Sequence, residues 1–107
     1  GMIVVGESED VPPLSNSNSY VYVARTVDGW FYVGETDNLR ARIATHRRNS
    51  RFGGKGVAFI CQDVPLGGKS TARRVEAAVI RDLWRLGFPL LSLADAAHTN
   101  FGSSESS

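Results

Sequence analysis

Cysteine is nearly absent from this sequence, in which Cys61 is the only example. A single thiol cannot form an intramolecular disulfide, and it offers no paired spacing for a thiolate metal centre. Cys61 falls in the apolar run 57–64, where we expect a buried and unreactive thiol. The cysteine content therefore excludes a disulfide framework within the chain.

Long apolar runs are also missing. No stretch approaches the ~18 consecutive apolar residues of a membrane span, and no basic segment followed by an apolar one marks a signal peptide. We therefore expect no membrane partner. Gly1 before Met2 resembles a residue left by an expression tag, so we expect a piece of a longer protein. The 107 residues allow one domain with a modest core.

Acidic residues are scarce in the middle of the chain. Between Asn38 and Arg74, nine basic residues face one acidic residue, Asp63. Ten of the twelve basic residues in the chain are arginine, whose planar guanidinium group suits bidentate phosphate contacts. Such a stretch is compatible either with a solvated basic surface or with nucleic-acid binding.

Turn and periodicity patterns predict one α+β domain. We expect residues 1–19 to be a tag remnant and linker in which 2–5 could add a short strand, residues 20–102 to be the domain, and 103–107 to be a flexible tail. Asp28-Gly29 between two runs rich in Val and aromatics predicts a hairpin. The predicted elements are strands over 20–26 and 30–34, a helix capped by Thr36 or Asp37 and ending near 49, a strand over 57–64, and a helix capped by Ser70 or Thr71 and ending at 86. This β-β-α-β-α order predicts a small antiparallel or mixed sheet with packed helices.

Charged side chains fall on the apolar faces of both predicted helices. Arg42 and His46 lie one turn apart on the inward face of the first helix, and Glu76 interrupts the apolar stripe of the second. Arg42 could reach solvent from the edge of the core, His46 could be a satisfied core histidine, and Glu76 could pair with Arg73. Breaks in a helical pattern are also typical of functional sites.

The same residue types, with the tyrosines of the hairpin, can carry out metal-assisted phosphodiester hydrolysis. A lone carboxylate plus water suits Mg²⁺, so Glu76 is the candidate metal ligand, with Mg²⁺ or Mn²⁺ as cofactor. Arg42 would stabilise the charge of the transition state. A tyrosine or His46 would take the proton from the attacking water.

A known signature is also visible in the chain. Tyr20-Val21-Tyr22, followed after nine residues by Tyr32-Val33-Gly34, resembles the two halves of the GIY-YIG nuclease signature. Arg42 lies ten residues after Tyr32, and His46 lies fourteen residues after it. Glu76 falls where that family has its metal-binding glutamate. Tyr20 stands at the position of a signature glycine, which is a departure from the pattern.

The resemblance implies a fold and a set of roles. The fold is a three-stranded antiparallel sheet flanked by helices, and the residue that matches Tyr32 is the general base proposed for the family. The implied catalytic residues are Tyr22, Tyr32, Arg42, His46 and Glu76, with Glu76 also holding the metal. Glu35 stands where the excision-repair members have a lysine, so the site has one positive charge fewer.

A closer resemblance points to a parent protein. Segment 33–39, Gly68-Lys69-Ser70 and Leu93-Ala94-Asp95 are similar to the C-terminal domain of the plant organellar MutS-type mismatch-repair proteins. This resemblance implies MutS-type domains in cis and a location in plastids or mitochondria. Many family members carry an asparagine after the glutamate, near the position of Pro89 here, and Asn100 is its candidate replacement.

Two functions of different classes follow from these patterns. The leading one is a metal-dependent, structure-directed DNA endonuclease for repair or recombination, acting on branched, nicked or mismatched DNA. The alternative is a module that binds such DNA without cleaving it, and a structural or protein-interaction domain is a third. The candidate DNA contacts are Arg40, Arg47, Arg48, Lys69, Arg73 and Asn100.

Overall fold

The computed structural model describes residues 2–14, 18–64 and 68–91, apart from the side chain of Arg51. Its elements are β1 (Met2–Val5), β2 (Ser19–Arg25), β3 (Phe31–Thr36), α1 (Leu39–Arg48), β4 (Ala58–Val64) and α2 (Gly68–Arg85). Two short 3₁₀ turns connect α1 to β4. The predicted order of strands and helices is confirmed, with β1 as an additional first element.

β2 and β3 form the hairpin that the Asp28-Gly29 pair predicts. The strands are antiparallel, and Tyr22 lies opposite Gly34. Gly29 has a φ of 89°, a left-handed conformation that glycine adopts without steric cost. The turn therefore sets the register that brings the two halves of the tyrosine signature side by side.

The sheet has four strands, whereas three were expected. The order is β1-β4-β2-β3, and every neighbouring pair is antiparallel. β1 pairs with β4 along an edge that would otherwise be open, with Val4 opposite Ile60, and Val5 is 1% exposed. The short strand considered for residues 2–5 is thus present within the stretch expected to be linker, because a short apolar segment beside an open edge gains both ladder hydrogen bonds and burial.

Residues 6–14, here called the strap, follow β1 and lie against α1. Arg47 of α1 donates hydrogen bonds to the carbonyl oxygens of Glu9 and Gly6, at 2.5 and 2.8 Å. Arg40 donates to two further strap carbonyls. Val11 of the strap packs against the core. The strap is thus tied to α1 by arginines rather than by a helix or strand of its own.

The sheet separates two apolar layers, as expected when successive strand residues face opposite sides. The layer under α1 contains Val5, Tyr20, Tyr22, Ala24, Tyr32, Leu39, Ile43, Phe52, Val57, Phe59 and Cys61. The layer under α2 is built on Val21, Val33, Val64, Ala72 and Leu90. A helix therefore covers each face, and the buried position predicted for Cys61 is confirmed.

The cap of α1 differs from the prediction. Asn38 is the capping residue, and its side-chain oxygen accepts a hydrogen bond from the Ala41 amide at 3.1 Å. The choice of Thr36 or Asp37 was wrong because β3 continues through Thr36. The Thr36 hydroxyl instead accepts from the Asn38 amide at 3.0 Å, which supports the bend between strand and helix.

α2 begins earlier than predicted. Its first residue is Gly68, so Ser70 and Thr71 lie inside the helix rather than at its cap. The helix ends at Arg85, and Gly87 follows with a φ of 87°, which confirms the predicted C-terminal stop. Beyond it, Leu90 bridges to Phe31 in parallel. Neither α1 nor α2 is long and apolar enough to cross a membrane.

Candidate active site

Tyr22 lies on the sheet face that α1 covers, with none of its surface exposed. It stands opposite Gly34, and the absence of a side chain there makes room for it. A Cβ atom added to Gly34 would lie 2.5 Å from the Tyr22 hydroxyl oxygen and 2.6 Å from Cζ, far inside van der Waals contact. The glycine of the second signature half is therefore required by the neighbouring tyrosine ring.

His46 reaches Tyr22 from α1. Its Nε2 atom is 2.9 Å from the Tyr22 hydroxyl oxygen, and its ring lies edge-on to Phe52 with centroids 5.1 Å apart. Burial, followed by the charge of Arg42, lowers the pKa of His46 from 6.5 to about 4. The imidazole is therefore neutral at physiological pH, and its environment is the aromatic interior rather than solvent.

Arg42 lies one turn before His46, is exposed, and forms a side-chain hydrogen bond with Tyr22. A guanidinium group has only donors, so the Tyr22 oxygen accepts the hydrogen bond from Arg42. The hydroxyl hydrogen of Tyr22 is then donated to Nε2 of His46. Because Nε2 accepts this hydrogen bond, the neutral His46 ring carries its proton on Nδ1.

The pKa shifts of Tyr22 and Arg42 are consistent with these hydrogen bonds. Burial, followed by the influence of Tyr32, raises the pKa of Tyr22 far above its usual value, so Tyr22 keeps its proton at neutral pH. Burial works against the charge of Arg42, but the hydrogen bond to Tyr22 and the charges around it raise the pKa of Arg42.

Tyr32 lies beside this chain of hydrogen bonds. It is 6% exposed, and its ring centroid is 5.1 Å from that of His46 and 6.2 Å from that of Tyr22. Four of the residues predicted to be catalytic, Tyr22, Tyr32, Arg42 and His46, are thus assembled on the α1 side of the sheet.

Glu76 projects from α2, which covers the other face of the sheet, and it is half-buried. Burial, followed by the Glu35 carboxylate on β3, raises the pKa of Glu76 against the charges of Arg73, Lys69 and Arg42. Among the described residues, Glu76 has no ion-pair partner within 4.0 Å. The alternative of an ion pair with a neighbouring arginine such as Arg73 is therefore not formed within that distance, although the charges of Arg73, Lys69 and Arg42 all act to lower the pKa of Glu76.

The surroundings of Glu76 fit a divalent cation. A half-buried carboxylate that faces a second carboxylate is stabilised by a cation placed beside it. In the part of the chain that the structure describes, no group of three or more His, Cys, Asp or Glu side chains could hold a metal ion. A site that leaves most ligand positions to water suits Mg²⁺ better than Zn²⁺. Glu76 is the residue that would hold the ion.

Three of the predicted DNA contacts are open to solvent. Arg48 and Arg73 are exposed on α1 and α2, respectively. Lys69, in the first turn of α2, is exposed but engaged, because its Nζ atom lies 3.0 Å from Oε2 of Glu35. Asn100 falls outside the described residues, so its predicted role stays a prediction.

Arg40 and Arg47 are used differently. Both donate to carbonyl groups of the strap, and the guanidinium carbon of Arg47 lies 5.7 Å from the centroid of the Phe59 ring. The helical wheel places Arg47 away from the core. The half-buried side chain instead folds back under the strap, an element that the sequence pattern did not reveal.

Glu35 was placed in the site by resemblance and Lys69 among the DNA contacts, but neither residue was connected to Glu76 from the sequence. Glu35 comes two residues after Val33, which faces α2, and strand alternation therefore turns Glu35 toward the same helix. Lys69 precedes Glu76 by seven residues, which is close to two helical turns and places both on one face. The strand alternation and the helical periodicity together could have predicted that Glu35 and Lys69 face the same side as Glu76.

The order of the elements and the antiparallel sheet are consistent with the fold of a GIY-YIG domain. A family model described as the GIY-YIG catalytic domain matches residues 18–82, and the chain belongs to this family of nucleases. Over 102 residues, 95% of the chain, it is 40% identical to the protein named DNA mismatch repair protein MSH1, mitochondrial, of Arabidopsis thaliana.

A bacterial relative is also similar. Over 53 residues, 50% of the chain, the sequence is 38% identical to a UPF0213 protein of Lacticaseibacillus paracasei. The chain spans 9% of the plant protein and 54% of the bacterial one. No solved structure gives a significant match. Both the family resemblance and the closer resemblance to the plant mismatch-repair protein are confirmed.

Proposed function

We propose that this chain is a metal-dependent DNA endonuclease domain that acts in DNA repair and prefers branched, nicked or mismatched DNA. The observation that carries the proposal is the continuous set of contacts from Arg42 through Tyr22 to His46. The charge of Arg42 also acts to lower the pKa of Glu76. His46 is also a satisfied core histidine, since it is buried and hydrogen-bonded to Tyr22, and what favours a catalytic role is the exposed arginine that interacts with the same buried tyrosine.

Arg42 is the proposed contact for the scissile phosphate. Its side chain is exposed, yet the Tyr22 hydroxyl holds one donor and so limits the orientations of the guanidinium group. The remaining donors form the planar fork that matches two phosphate oxygens. Preorganised donors of this kind stabilise charge that develops in the transition state.

Tyr32 is the proposed proton acceptor. The water oxygen attacks phosphorus, the bond from phosphorus to the leaving sugar oxygen breaks, and the proton of the water passes to the Tyr32 oxygen. A protonated phenol can accept that proton only while it gives up its own. That proton passes through solvent to the leaving sugar oxygen, because Nε2 of His46 already accepts a hydrogen bond from the Tyr22 hydroxyl and Nδ1 carries the proton of the neutral ring.

Glu76 is the proposed metal ligand. When Mg²⁺ or Mn²⁺ is bound there, it supplies charge stabilisation for the leaving oxygen. The contribution of the protein is a carboxylate that is half-buried and raised in pKa, and that therefore favours a neighbouring cation. The exposed Arg48, Arg73 and Lys69 are the proposed contacts with flanking phosphates.

The proposal extends to the context of the chain. Since the plant relative is named as a mitochondrial mismatch-repair protein, we propose that this domain works in an organelle, plastid or mitochondrion. MutS-type domains in cis would then find the lesion, and the domain described here would cut near it.

Cleavage and binding measured together test this function. The chain is incubated with nicked, mismatched and branched duplexes in Mg²⁺ or Mn²⁺, and both cleavage and retention are scored. Glu76→Gln should abolish metal-dependent cleavage and leave DNA affinity unchanged or slightly higher, because one repulsive charge is removed. Asp82→Asn is the matched control, since it removes the same charge from an exposed position of α2 and should cleave like the parent.

Arg42→Ala separates phosphate contact from metal binding. It should lose cleavage and also weaken DNA binding, since arginine contacts phosphate in the ground state and in the transition state. If the parent cleaves none of these DNAs in either metal and Glu76→Gln lowers the melting temperature, the catalytic assignment is wrong.

The non-cleaving DNA-binding module is the second candidate. It is favoured by one observation: a Tyr22 that keeps its proton and a His46 with a pKa of about 4 make weak bases at neutral pH. Under this function the parent retains branched DNA but never cuts it, and Arg42→Ala affects affinity alone.

A further inference from the structure

Glu35 occupies a specific place between the sheet and α2. It lies on the face of β3 that α2 covers, and its side chain is 13% exposed. The Oε2 atom is 3.0 Å from the Lys69 ammonium, which also lies 3.6 Å from the exposed Asp37 carboxylate. One ammonium group therefore compensates two carboxylates at the start of α2.

Glu76 lies on the stripe of α2 that faces the sheet. Ala72 is fully buried against Val21 and Val33 of the sheet, so the stripe of α2 that carries Ala72 faces β3. Lys69 lies three residues before Ala72 and Glu76 four residues after it, on that one stripe. The influence of Glu35 on the pKa of Glu76 is consistent with this placement.

We propose that Glu35 is a second carboxylate for the divalent cation held at Glu76, and that Lys69 is the counter-ion that the cation releases from Glu35. The inference rests on the proposed function, in which Glu76 binds the metal. Without a cation, the ammonium neutralises a carboxylate that would otherwise be poorly solvated beside another. Oxygen ligands from carboxylates and water are those that Mg²⁺ and Mn²⁺ take in proteins.

The release of Lys69 gives it two successive partners. With the cation absent it pairs with Glu35, and with the cation present it is free to meet a phosphate beside the site.

Binding of Mn²⁺ to the chain without DNA tests the inference independently of cleavage. Free Mn²⁺ is measured by electron paramagnetic resonance during a titration, and thermal melting checks each variant. We expect Glu35→Gln to weaken Mn²⁺ binding by at least about tenfold, since ligand charge sets the affinity. Lys69→Met should tighten binding by at least about threefold, because the competing charge is gone.

Asp37→Asn is the matched control, since it removes the same charge beside the same lysine and should stay within about twofold of the parent. If Glu35→Gln does not fold, Glu35→Asp replaces it, and we expect affinity between that of the parent and that of Glu76→Gln.

The outcomes separate the two proposals. If Glu76→Gln loses Mn²⁺ binding while the folded Glu35 variant binds like the parent, the role of Glu35 is refuted and the proposed function stands. If Glu76→Gln also binds like the parent, the metal site of the proposed function is refuted. Weaker binding by Lys69→Met would show that Lys69 orients Glu35, and would overturn its role as the released counter-ion.

Discussion

Replacing Gly34 by alanine tests whether the Tyr22 hydroxyl is held in one place. The new Cβ would lie 2.5 Å from that oxygen, and an ordinary contact needs about 3.4 Å, so the oxygen must move by about 0.9 Å. The hydrogen bond to Nε2 of His46, now 2.9 Å long, would be lost with this movement. The substitution therefore acts on the site through packing alone, with no change of charge.

The change in the free energy of unfolding is the sum of two destabilising effects and one stabilising effect. Crowding a packed interior by one methyl group costs about 1–3 kcal/mol, and a buried acceptor left without its donor costs about 1–3 kcal/mol. Alanine is favoured over glycine within a strand by about 0.5–1 kcal/mol. The losses prevail, so we expect a net destabilisation of about 2–4 kcal/mol and a melting temperature lower by roughly 10–25 °C.

Urea and thermal unfolding measure the stability, and cleavage of branched DNA measures the site. Because Arg42 is positioned by Tyr22, cleavage should fall at least about 10²-fold. In a Tyr22→Leu background the crowded atoms are gone, and Gly34→Ala should cost less than about 1 kcal/mol. Parental stability and parental cleavage for Gly34→Ala would refute the reasoning, since they would show that the ring moves aside freely.

The remaining predictions concern the strap, the histidine, the second tyrosine and the basic surface. Arg47→Ala should lower the free energy of unfolding, measured in urea, by about 2–3 kcal/mol because two charged hydrogen bonds are lost. The control Arg48→Ala, at an exposed position, should change this free energy by less than about 0.5 kcal/mol. Equal changes for the two variants would contradict the contact between Arg47 and the strap. Since the folded pKa of His46, about 4, lies below its unfolded value of 6.5, its contribution to stability is present above pH 6.5 and is lost as the pH falls toward 4. Unfolding at pH 7.5 and 4.5 should show a loss from this group of up to about 3 kcal/mol that is missing in His46→Gln, and an identical pH dependence of the two proteins would argue against it. Tyr32→Phe should fold and bind DNA yet cleave at least about 10²-fold more slowly in single-turnover assays, and parental cleavage would move the role of base to Tyr22 or His46. DNA affinity should fall with salt with a log–log slope of roughly −0.9 per phosphate contact on duplex DNA, and a flat titration would count against the basic surface.

Local patterns were sufficient for much of the fold. The Asp28-Gly29 turn and the apolar stripes of the helices are encoded over a few neighbouring residues, so the hairpin and both helices could be predicted. Tyr32, Arg42 and His46 lie within one strand, the bend after it and one helix, so their relative placement could also be predicted from the sequence. The break in the apolar stripe of the second helix indicated Glu76, and the sequence resemblance connected it to the tyrosines, from which it is far along the chain.

Contacts between distant parts of the chain could not be predicted from the sequence. Arg47 bonds to Glu9 and Gly6 across 38 and 41 residues, so no helical wheel could show that the strap lies over it. The register that sets Tyr22 opposite Gly34 likewise depends on the folded hairpin, although the presence of a glycine was visible. The cap at Asn38 was missed because the length of β3 depends on pairing with β2 rather than on its own residues.

The pairing of β1 with β4 affects where the boundary of this domain is drawn. The family match begins at residue 18, but the sheet begins at Met2. A chain shortened to the family boundary would leave the backbone amides and carbonyls along one side of β4 without partners, next to Ile60, which is already 51% exposed. Unpaired edges beside apolar side chains are templates for pairing with other chains. We therefore expect a chain shortened to residue 18 to associate with itself more readily than the 107-residue chain.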